Sequence, residues 1–188
     1  MILDYTNNKE FALANGVMPE NSTGETHFVI DKVVRDVTFR NFFNLCINDA
    51  CFENCIFENC GRVSTESCHM EGCTFKNVNN IEGVRTSFNK CTFTGCCSDG
   101  PLLVIDSHGC VDDCVFDTIT TLGDDGYIIY SVYGKKNEVE MVSGCKFVDC
   151  QVESEGGKYC YCAYFKPFSS YKTIEIDNVD YDTCEGLV

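Results

Sequence analysis

The chain has 188 residues and repeats a nine-residue pattern seven times. In each copy an apolar residue is followed three places later by a small apolar one, five places later by an aromatic, and eight places later by another small or apolar residue. The copies begin at Val34, Phe52, Met70, Phe88, Val111, Val142 and Ile176. Such a period indicates a solenoid, because a single unit cannot bury its apolar face unless neighbouring units stack on it.

The spacing between copies is regular at first and then widens. Successive starts lie 18, 18, 18, 23, 31 and 34 residues apart. The extra residues fall in three insertions, Cys97–Cys110, Thr120–Met141 and Gln151–Glu175, and each insertion contains a run that is typical of a strand. We expect the insertions to enlarge the later rungs or to form hairpins beside them, on one functional face.

The repeating units are extended. No copy sustains the i, i+3, i+4, i+7 pattern of a helix, whereas the Thr, Val, Phe and Cys content with frequent Asn and Gly is typical of short strands separated by tight bends. The sequence therefore predicts an all-β, single-domain parallel β-helix of about seven rungs. With rungs about 4.8 Å apart, the rod would be roughly 34 Å long.

In a parallel β-helix, equivalent residues of successive rungs stack into columns. The predicted aromatic column is Phe39, Phe57, Phe75, Phe93, Phe116, Phe147 and Tyr181. The column two residues earlier is Val37, Cys55, Cys73, Cys91, Cys114, Cys145 and Val179. Stacked rings bury a large area, and cysteine is a compact apolar filler where a rung turns tightly.

The 16 cysteines fit buried free thiols better than disulfides or zinc ligands. The chain begins without the basic and apolar regions of an export signal and has no long apolar segment, so we expect a reducing, cytoplasmic environment and no membrane contact. No CxxC pair occurs, and five pairs have the five-residue spacing of the repeat itself. We expect no cofactor and no metal, while a small metal site stays open at Cys96, Cys97, Cys160 and Cys162.

Several segments resemble a known repeat family. The segments are Ala50-Cys51-Phe52, Cys55-Ile56-Phe57, Cys73-Thr74-Phe75 and Cys91-Thr92-Phe93. They resemble the small-x-Phe/Leu core of pentapeptide-repeat proteins, and the resemblance implies a right-handed, four-sided β-helix. The early rungs have 18 residues where four full units would have twenty. The wider right-handed β-helix group, which includes pectate-lyase-like enzymes, and the left-handed hexapeptide helices remain alternatives.

The pattern divides the chain into two parts of one structural unit. We predict that residues 1–33 form an N-terminal cap over the first rung and that residues 34–188 form the β-helix repeat domain. The last copy ends at Cys184, so only four residues remain to cover the final rung. An uncovered rung offers free strand edges, so we expect a two-fold dimer through the C-terminal end.

Charge is distributed unevenly along the chain. Residues 1–98 carry 12 acidic and 8 basic side chains, whereas residues 99–188 carry 17 acidic and 6 basic ones, a net charge of −11 out of −15 for the whole chain. Direct binding to nucleic acid is disfavoured, because phosphate contacts require Lys and Arg. A basic protein partner is favoured, because complementary fields steer encounter.

The predicted function is that of an acidic rod that binds a basic protein surface. Some pentapeptide-repeat proteins act as DNA mimics, so the resemblance implies an inhibitor of a nucleic-acid-processing complex, of the anti-CRISPR, anti-restriction or topoisomerase-protecting type. The predicted partner-binding residues are the acids and tyrosines of the insertions. They are Asp124, Asp125, Tyr127, Tyr130, Tyr133, Glu138, Glu140, Glu153, Glu155, Tyr159, Tyr161 and Tyr164. Alternatively, these tyrosines pack the insertions against the rod.

We expect the chain not to be an enzyme. It has three histidines and no Trp for sugar stacking. Asp112-Asp113 and Asp124-Asp125-Gly126 carry oxygen ligands for calcium or paired carboxylates for glycoside hydrolysis, but such segments are more often solvated turns. The alternative function is a carbohydrate-active or glycan-binding β-helix of the pectate-lyase-like type.

Overall fold

The computed structural model contains strands and no helix in the part of the chain that it describes. No described segment is thus a helix long and apolar enough to cross a membrane. The described residues are 2–4, 17–20, 25–29, 33–106, 108–123, 126–132, 139–153, 163–165, 173–177 and 180–182.

The strands are short, mostly three to five residues, and we number them in chain order. They are β1 Ile2–Asp4, β2 Val17–Glu20, β3 Glu25–Val29, β4 Val33–Arg35, β5 Thr38–Arg40, β6 Asn44–Asn48, β7 Cys51–Glu53, β8 Ile56–Glu58, β9 Arg62–Glu66, β10 His69–Glu71, β11 Thr74–Lys76, β12 Asn80–Val84, β13 Ser87–Asn89, β14 Thr92–Thr94, β15 Cys97–Ser98, β16 Leu103–Asp106, β17 Cys110–Asp112, β18 Val115–Asp117, β19 Thr120–Leu122, β20 Ile129–Val132, β21 Val139–Ser143, β22 Lys146–Val148, β23 Gln151–Glu153, β24 Ala163–Phe165, β25 Thr173–Asp177 and β26 Asp180–Asp182.

These strands form stacked parallel sheets along the rod. Sheet I has the order β1-β5-β8-β11-β14-β18-β22-β26, sheet II the order β4-β7-β10-β13-β17-β21-β25, and sheet III the order β2-β3-β6-β9-β12-β16-β20-β24. Along the chain each rung passes through sheet II, sheet I and sheet III before it returns to sheet II one level higher. The predicted parallel β-helix is confirmed; its handedness stays a prediction.

The bends between sheets are made by residues in the left-handed backbone region. Asn54, Asn59 and Ser67 have φ values of 52°, 54° and 54°, and they mark the three corners of one early rung. Asn, Asp and Gly adopt this region at the lowest cost, which explains their recurrence at the corners. The N–H of each bend residue donates to a carbonyl of the next rung, as from Asn54 to Glu71 at 2.9 Å. An early rung is therefore three-sided, unlike the four-sided coil that the resemblance implies.

The aromatic column is confirmed by the strand register of sheet I. Phe39, Phe57, Phe75, Phe93, Phe116 and Phe147 are successive partners. Their ring centroids lie 4.5–5.0 Å apart and their planes differ by 4–10°. All six rings are fully buried, so this stack forms the centre of the core.

The cysteine column borders the aromatic stack at the corner between sheets II and I. Cys55, Cys73, Cys91, Cys114 and Cys145 are free thiols and at most 1% exposed. Elsewhere in the core, burial raises the pKa of the Cys60 and Cys96 thiols to about 11. Because the thiolate is the reactive form, such buried cysteines act as small apolar side chains at neutral pH.

The nine-residue pattern covers sheets II and I but misses sheet III. Strands β6, β9 and β12 lie in the segments between copies and alternate buried and half-buried or exposed residues. The runs within the insertions continue this sheet as β16, β20 and β24 instead of forming separate hairpins. A short sheet IV, in the order β15-β19-β23, is inserted between sheets I and III and enlarges the later rungs as expected.

Strands that precede residue 33 extend two of the sheets at the N-terminal end. β1 pairs in parallel with β5 in sheet I. β3 pairs in parallel with β6, and β2 pairs antiparallel with β3 in sheet III. The predicted dimer through the C-terminal end stays a prediction, because residues 183–188 lie outside the described part of the chain.

We expect Phe93→Ala to lower the free energy of unfolding by about 3–5 kcal/mol, because it removes a ring stacked on both sides and leaves a cavity. The measurement is urea denaturation followed by circular dichroism. Phe43→Ala is the control, because Phe43 is 69% exposed and its truncation removes little buried area. Equal losses from the two variants would contradict the stacked core.

Candidate functional site

The predicted partner-binding residues are only partly within the described structure. Asp124, Asp125, Tyr133, Glu138, Glu155, Tyr159 and Tyr161 lie outside it. Among the others, Tyr130 and Tyr164 lie on sheet III, Glu140 on sheet II and Glu153 on sheet IV. The acids Glu140 and Glu153 therefore belong to different sides of the rod.

The tyrosines are brought together on sheet III. Tyr130 in β20 is the register partner of Val104 on one side and Tyr164 on the other. The rings of Tyr127 and Tyr130 are half-buried and stack with centroids 5.6 Å apart and an interplanar angle of 18°. This pair forms a partly exposed aromatic surface on the acidic half of the chain.

Ion pairs between rungs neutralise the glutamates between Glu53 and Glu82. Glu58 accepts hydrogen bonds from Arg40 at 2.9 Å and from Lys76 at 3.0 Å, which lie one rung to either side. The Lys76 ammonium and the Arg40 guanidinium lower the pKa of Glu58. The same 18- to 20-residue relation produces further pairs: Arg35–Glu53, Arg62–Glu82, Arg85–Glu66 and Lys90–Glu71.

Aspartates occupy several outward positions and corners of the later rungs. Asp113 and Asp149 are exposed at the two corners that flank sheet I, and Asp117 lies on the sheet between them. Asp112, next to Asp113, accepts a hydrogen bond from Ser143 of the following rung. We call Asp112, Asp113, Asp117 and Asp149 the aspartate patch. Its surroundings include two exposed basic side chains, Lys146 of β22 and Lys90, which occupies the corner one rung before Asp113.

A polar cluster on the outer face of sheet II was not found from the sequence. His69 Nδ1 and Ser87 Oγ lie 2.5 Å apart, and His69 Nε2 lies 3.7 Å from Glu71. Glu71 also accepts a hydrogen bond from Asn89 at 2.5 Å, and Asn89 precedes Asp112 in the same outward column. The sequence offered one signal for this cluster, because His69 and Ser87 are 18 residues apart, which is the length of one rung. The nine-residue pattern missed it because that pattern is defined by inward positions only.

A cleft lies where the three-sided rungs begin to widen. Its volume is about 480 Å³, and it is lined by Asn79, Asn80 and residues 97–101. Cys97 is exposed here, while Cys96 is 1% exposed and points into the core, so the two adjacent thiols face opposite sides. In the described part of the chain, no three His, Cys, Asp or Glu side chains converge on a possible metal position. Cys160 and Cys162 lie outside it.

Comparisons with known proteins identify similar folds only. No family model and no curated protein matches the sequence. The chain is similar in structure to an endo-xylogalacturonan hydrolase from Aspergillus tubingensis (11% identity, TM-score 0.37, 78% of this chain and 52% of that one). It is also similar to the Agl-KA catalytic domain (9%, TM-score 0.33, 77% and 30%). A third is a putative glycosyl hydrolase from Parabacteroides merdae ATCC 43184 (11%, TM-score 0.24, 86% and 82%).

These comparisons correct the expectation that the chain is not an enzyme. The three similar structures are described as two hydrolases and a catalytic domain, so the fold gives no ground for setting catalysis aside. The chain spans about half the length of the first of them. At these identities the likeness concerns the fold, and function has to be argued from the residues of this chain.

We expect Glu58→Gln to be less stable than the parent at pH 7 and equally stable in acid. Because the folded protein lowers the pKa of Glu58 below its ordinary value of 4.5, its ionised form stabilises the fold at neutral pH. That contribution is lost as the pH falls through the lowered pKa. The measurement is thermal unfolding of both proteins between pH 7 and pH 2. A high-salt series is the control, because screening should shrink the difference; a constant difference at every pH would contradict the ion pair.

Proposed function

We propose that this acidic β-helix binds a basic protein surface through the aspartate patch. The observation that carries the proposal is the division of charge along the rod. Glutamates of the early rungs are held in ion pairs with Arg and Lys of adjacent rungs, whereas residues 99–188 contain 17 acids, 6 lysines and no arginine. That half therefore carries 11 more acidic than basic side chains.

The β-helix presents these charges on a rigid support. Asp113 and Asp149 are at left-handed bends, and the Asp113 N–H donates to the Ser143 carbonyl of the next rung at 2.9 Å. Preformed positions reduce the conformational entropy that binding would otherwise cost. Negative potential of this kind attracts basic grooves over long range and speeds association.

The partner that best complements this surface is a nucleic-acid-processing enzyme. Its DNA- or RNA-binding groove is lined with Lys and Arg, and an anionic rod can occupy it in place of the phosphate backbone. The stacked Tyr127 and Tyr130 at sheet III, on a different side of the rod, would add aromatic contacts where the groove encloses the rod. The protein would then be an inhibitor of the anti-CRISPR, anti-restriction or topoisomerase-protecting type.

The test is displacement of duplex DNA from basic enzymes. Fluorescence anisotropy of labelled DNA bound to Cas9, a type I restriction enzyme and a type II topoisomerase is measured with increasing protein. We expect displacement from at least one enzyme, weaker at high salt. Asp113→Lys with Asp117→Lys should raise the concentration for half-displacement at least about tenfold. Lysine fits both places, because Lys90 occupies the same corner with φ 51° and Lys76 the same outward column.

The matched control reverses two aspartates of the early rungs. Asp36→Lys changes the same corner column as Asp113, and Asp49→Arg changes the column that holds Arg85. The net charge changes by the same amount in both double variants, so only the position differs. Equal effects of the two double variants would contradict a binding surface on the later rungs, and no displacement from any of the enzymes would contradict the proposed partner class.

The alternative, a carbohydrate-active β-helix, is favoured by the polar cluster on sheet II. Glu71 and Asp112 lie in one outward column on strands two rungs apart, about 9.6 Å between backbones. This backbone separation is just above the roughly 6.5–9.5 Å between the two carboxyl groups of inverting glycosidases, so the side chains would have to incline slightly toward each other. His69 and Asn89 lie beside this pair and could hydrogen-bond a sugar.

This alternative predicts hydrolysis that depends on both carboxylates. Release of reducing ends is measured from a panel of neutral and uronic-acid polysaccharides, and Glu71→Gln and Asp112→Asn should each lower the rate at least about a hundredfold. The control is Glu53→Gln, because Glu53 lies in the same column one rung before Glu71 and outside the proposed carboxylate pair. Absence of any hydrolysis by the parent protein would remove the alternative.

A further inference from the structure

The five stacked cysteines form a continuous file of sulfur atoms inside the rod. We call Cys55, Cys73, Cys91, Cys114 and Cys145 the thiol file. The file is bounded at its first end by Val37, which occupies the same corner position and is 6% exposed. Other buried cysteines do not form such a run, because Val78 separates Cys60 from Cys96 in their column.

The sulfur atoms of the file repeat the same contacts in each rung. The Sγ of Cys91 lies 3.4 Å from the Met70 carbonyl oxygen and 3.5 Å from that of Asn89. The Sγ of Cys73 makes the equivalent contacts with Phe52 and Glu71, at 3.5 and 3.7 Å. Because the contacts repeat, adjacent sulfurs are separated by the strand spacing of about 4.8 Å.

This spacing suits one kind of metal coordination and excludes another. A linear S–metal–S unit spans about 4.6 Å, twice a metal–thiolate bond of roughly 2.3 Å. A tetrahedral Zn²⁺ site needs four ligands around one point, which sulfurs in a row cannot supply. The absence of any convergent group of three metal ligands among the described residues agrees with this exclusion.

We propose that the thiol file binds Cu(I) in linear coordination between sulfur atoms of adjacent rungs. Thiolates are the soft ligands that select Cu(I), and the surrounding phenylalanine stack keeps water away from the ion. For each isolated pair, two S–H bonds break, two Cu–S bonds form and two protons go to the solvent. The oxidation state of copper does not change in this step.

The backbone offers donors for the anionic sulfurs that result. The N–H of Val37 is placed to donate to the Cys55 sulfur, and the N–H groups of Cys55 and Cys73 are placed toward the sulfurs of Cys73 and Cys91. These donors would partly offset the cost of negative charge in the core. Because protons compete with the ion, the copper affinity should rise with pH.

The test is the amount of copper retained against a competing ligand. The reduced protein is treated with iodoacetamide to block exposed thiols such as Cys97, then unfolded and refolded anaerobically with Cu(I) held by bicinchoninate. Bound copper per chain is counted by native mass spectrometry, and refolding is checked by circular dichroism. Zn²⁺ in place of Cu(I) is the comparison ion and should not be retained in the file.

Two double variants test whether copper binding requires adjacent cysteines or only buried ones. Cys73→Val with Cys114→Val leaves no adjacent pair and should lose at least two Cu(I) per chain. Cys60→Val with Cys96→Val removes two buried thiols from a column without adjacent cysteines and should retain as much copper as the parent. Valine fits both columns, because Val37 and Val78 already occupy them.

The outcomes either support or overturn the proposal. Copper retention by Cys73→Val/Cys114→Val equal to that of the parent, equal losses from both double variants, or equal retention of Zn²⁺ would overturn it. Cys91→Val supplies a second measurement, because it leaves two separate pairs. If each sulfur bridges two ions, the parent retains more copper than this variant; if each sulfur binds one ion, both retain two.

Discussion

The structure depends on the hydrogen bonds that tie each bend to the next rung. The N–H groups of Asn54, Asn59 and Ser67 donate to carbonyls 17 residues further along the chain, at 2.9–3.0 Å. A shift of one residue in any of these pairings would turn a strand over and expose its buried side chains. The left-handed bends therefore fix the register, and the register fixes which side chains stack on which.

This register has different consequences inside and outside the rod. Inside the rod, the register stacks identical side chains of successive rungs on one another, which is favourable for phenylalanine rings and neutral for thiols. Outside, it would place like charges about 4.8 Å apart, which is unfavourable. The early rungs avoid this by alternating Arg40, Glu58 and Lys76 in one column. The same column continues with Thr94 and Asp117, so the negative charge of the later rungs is not compensated within it.

The sequence predicted the inward columns of two sheets because their residue types repeat. Every position of the aromatic column from Phe39 to Phe147 is phenylalanine, which makes the period visible without any structure. The sheet III strands of the early rungs were missed because their inward positions vary, as in Ile47, Thr65 and Gly83, which only the register shows to be equivalent. Gly83 is small because a Cβ there would lie 2.8 Å from the Phe88 ring, a contact that no pattern in the sequence reveals.

The two candidate surfaces share a residue, which ties the question of catalysis to the question of binding. Asp112 belongs to the outward column of Glu71 and Asn89 on sheet II, and it also adjoins Asp113 at the corner of the aspartate patch. Its hydrogen bond from Ser143 is compatible with either role. Because the fold is the same under both functions, the comparison of Asp112 and Asp113 variants distinguishes them: one function depends on the first side chain and the other on the second. A glycosidase depends on the Asp112 carboxylate on sheet II, whereas a surface for a basic partner depends on the Asp113 carboxylate exposed at the corner.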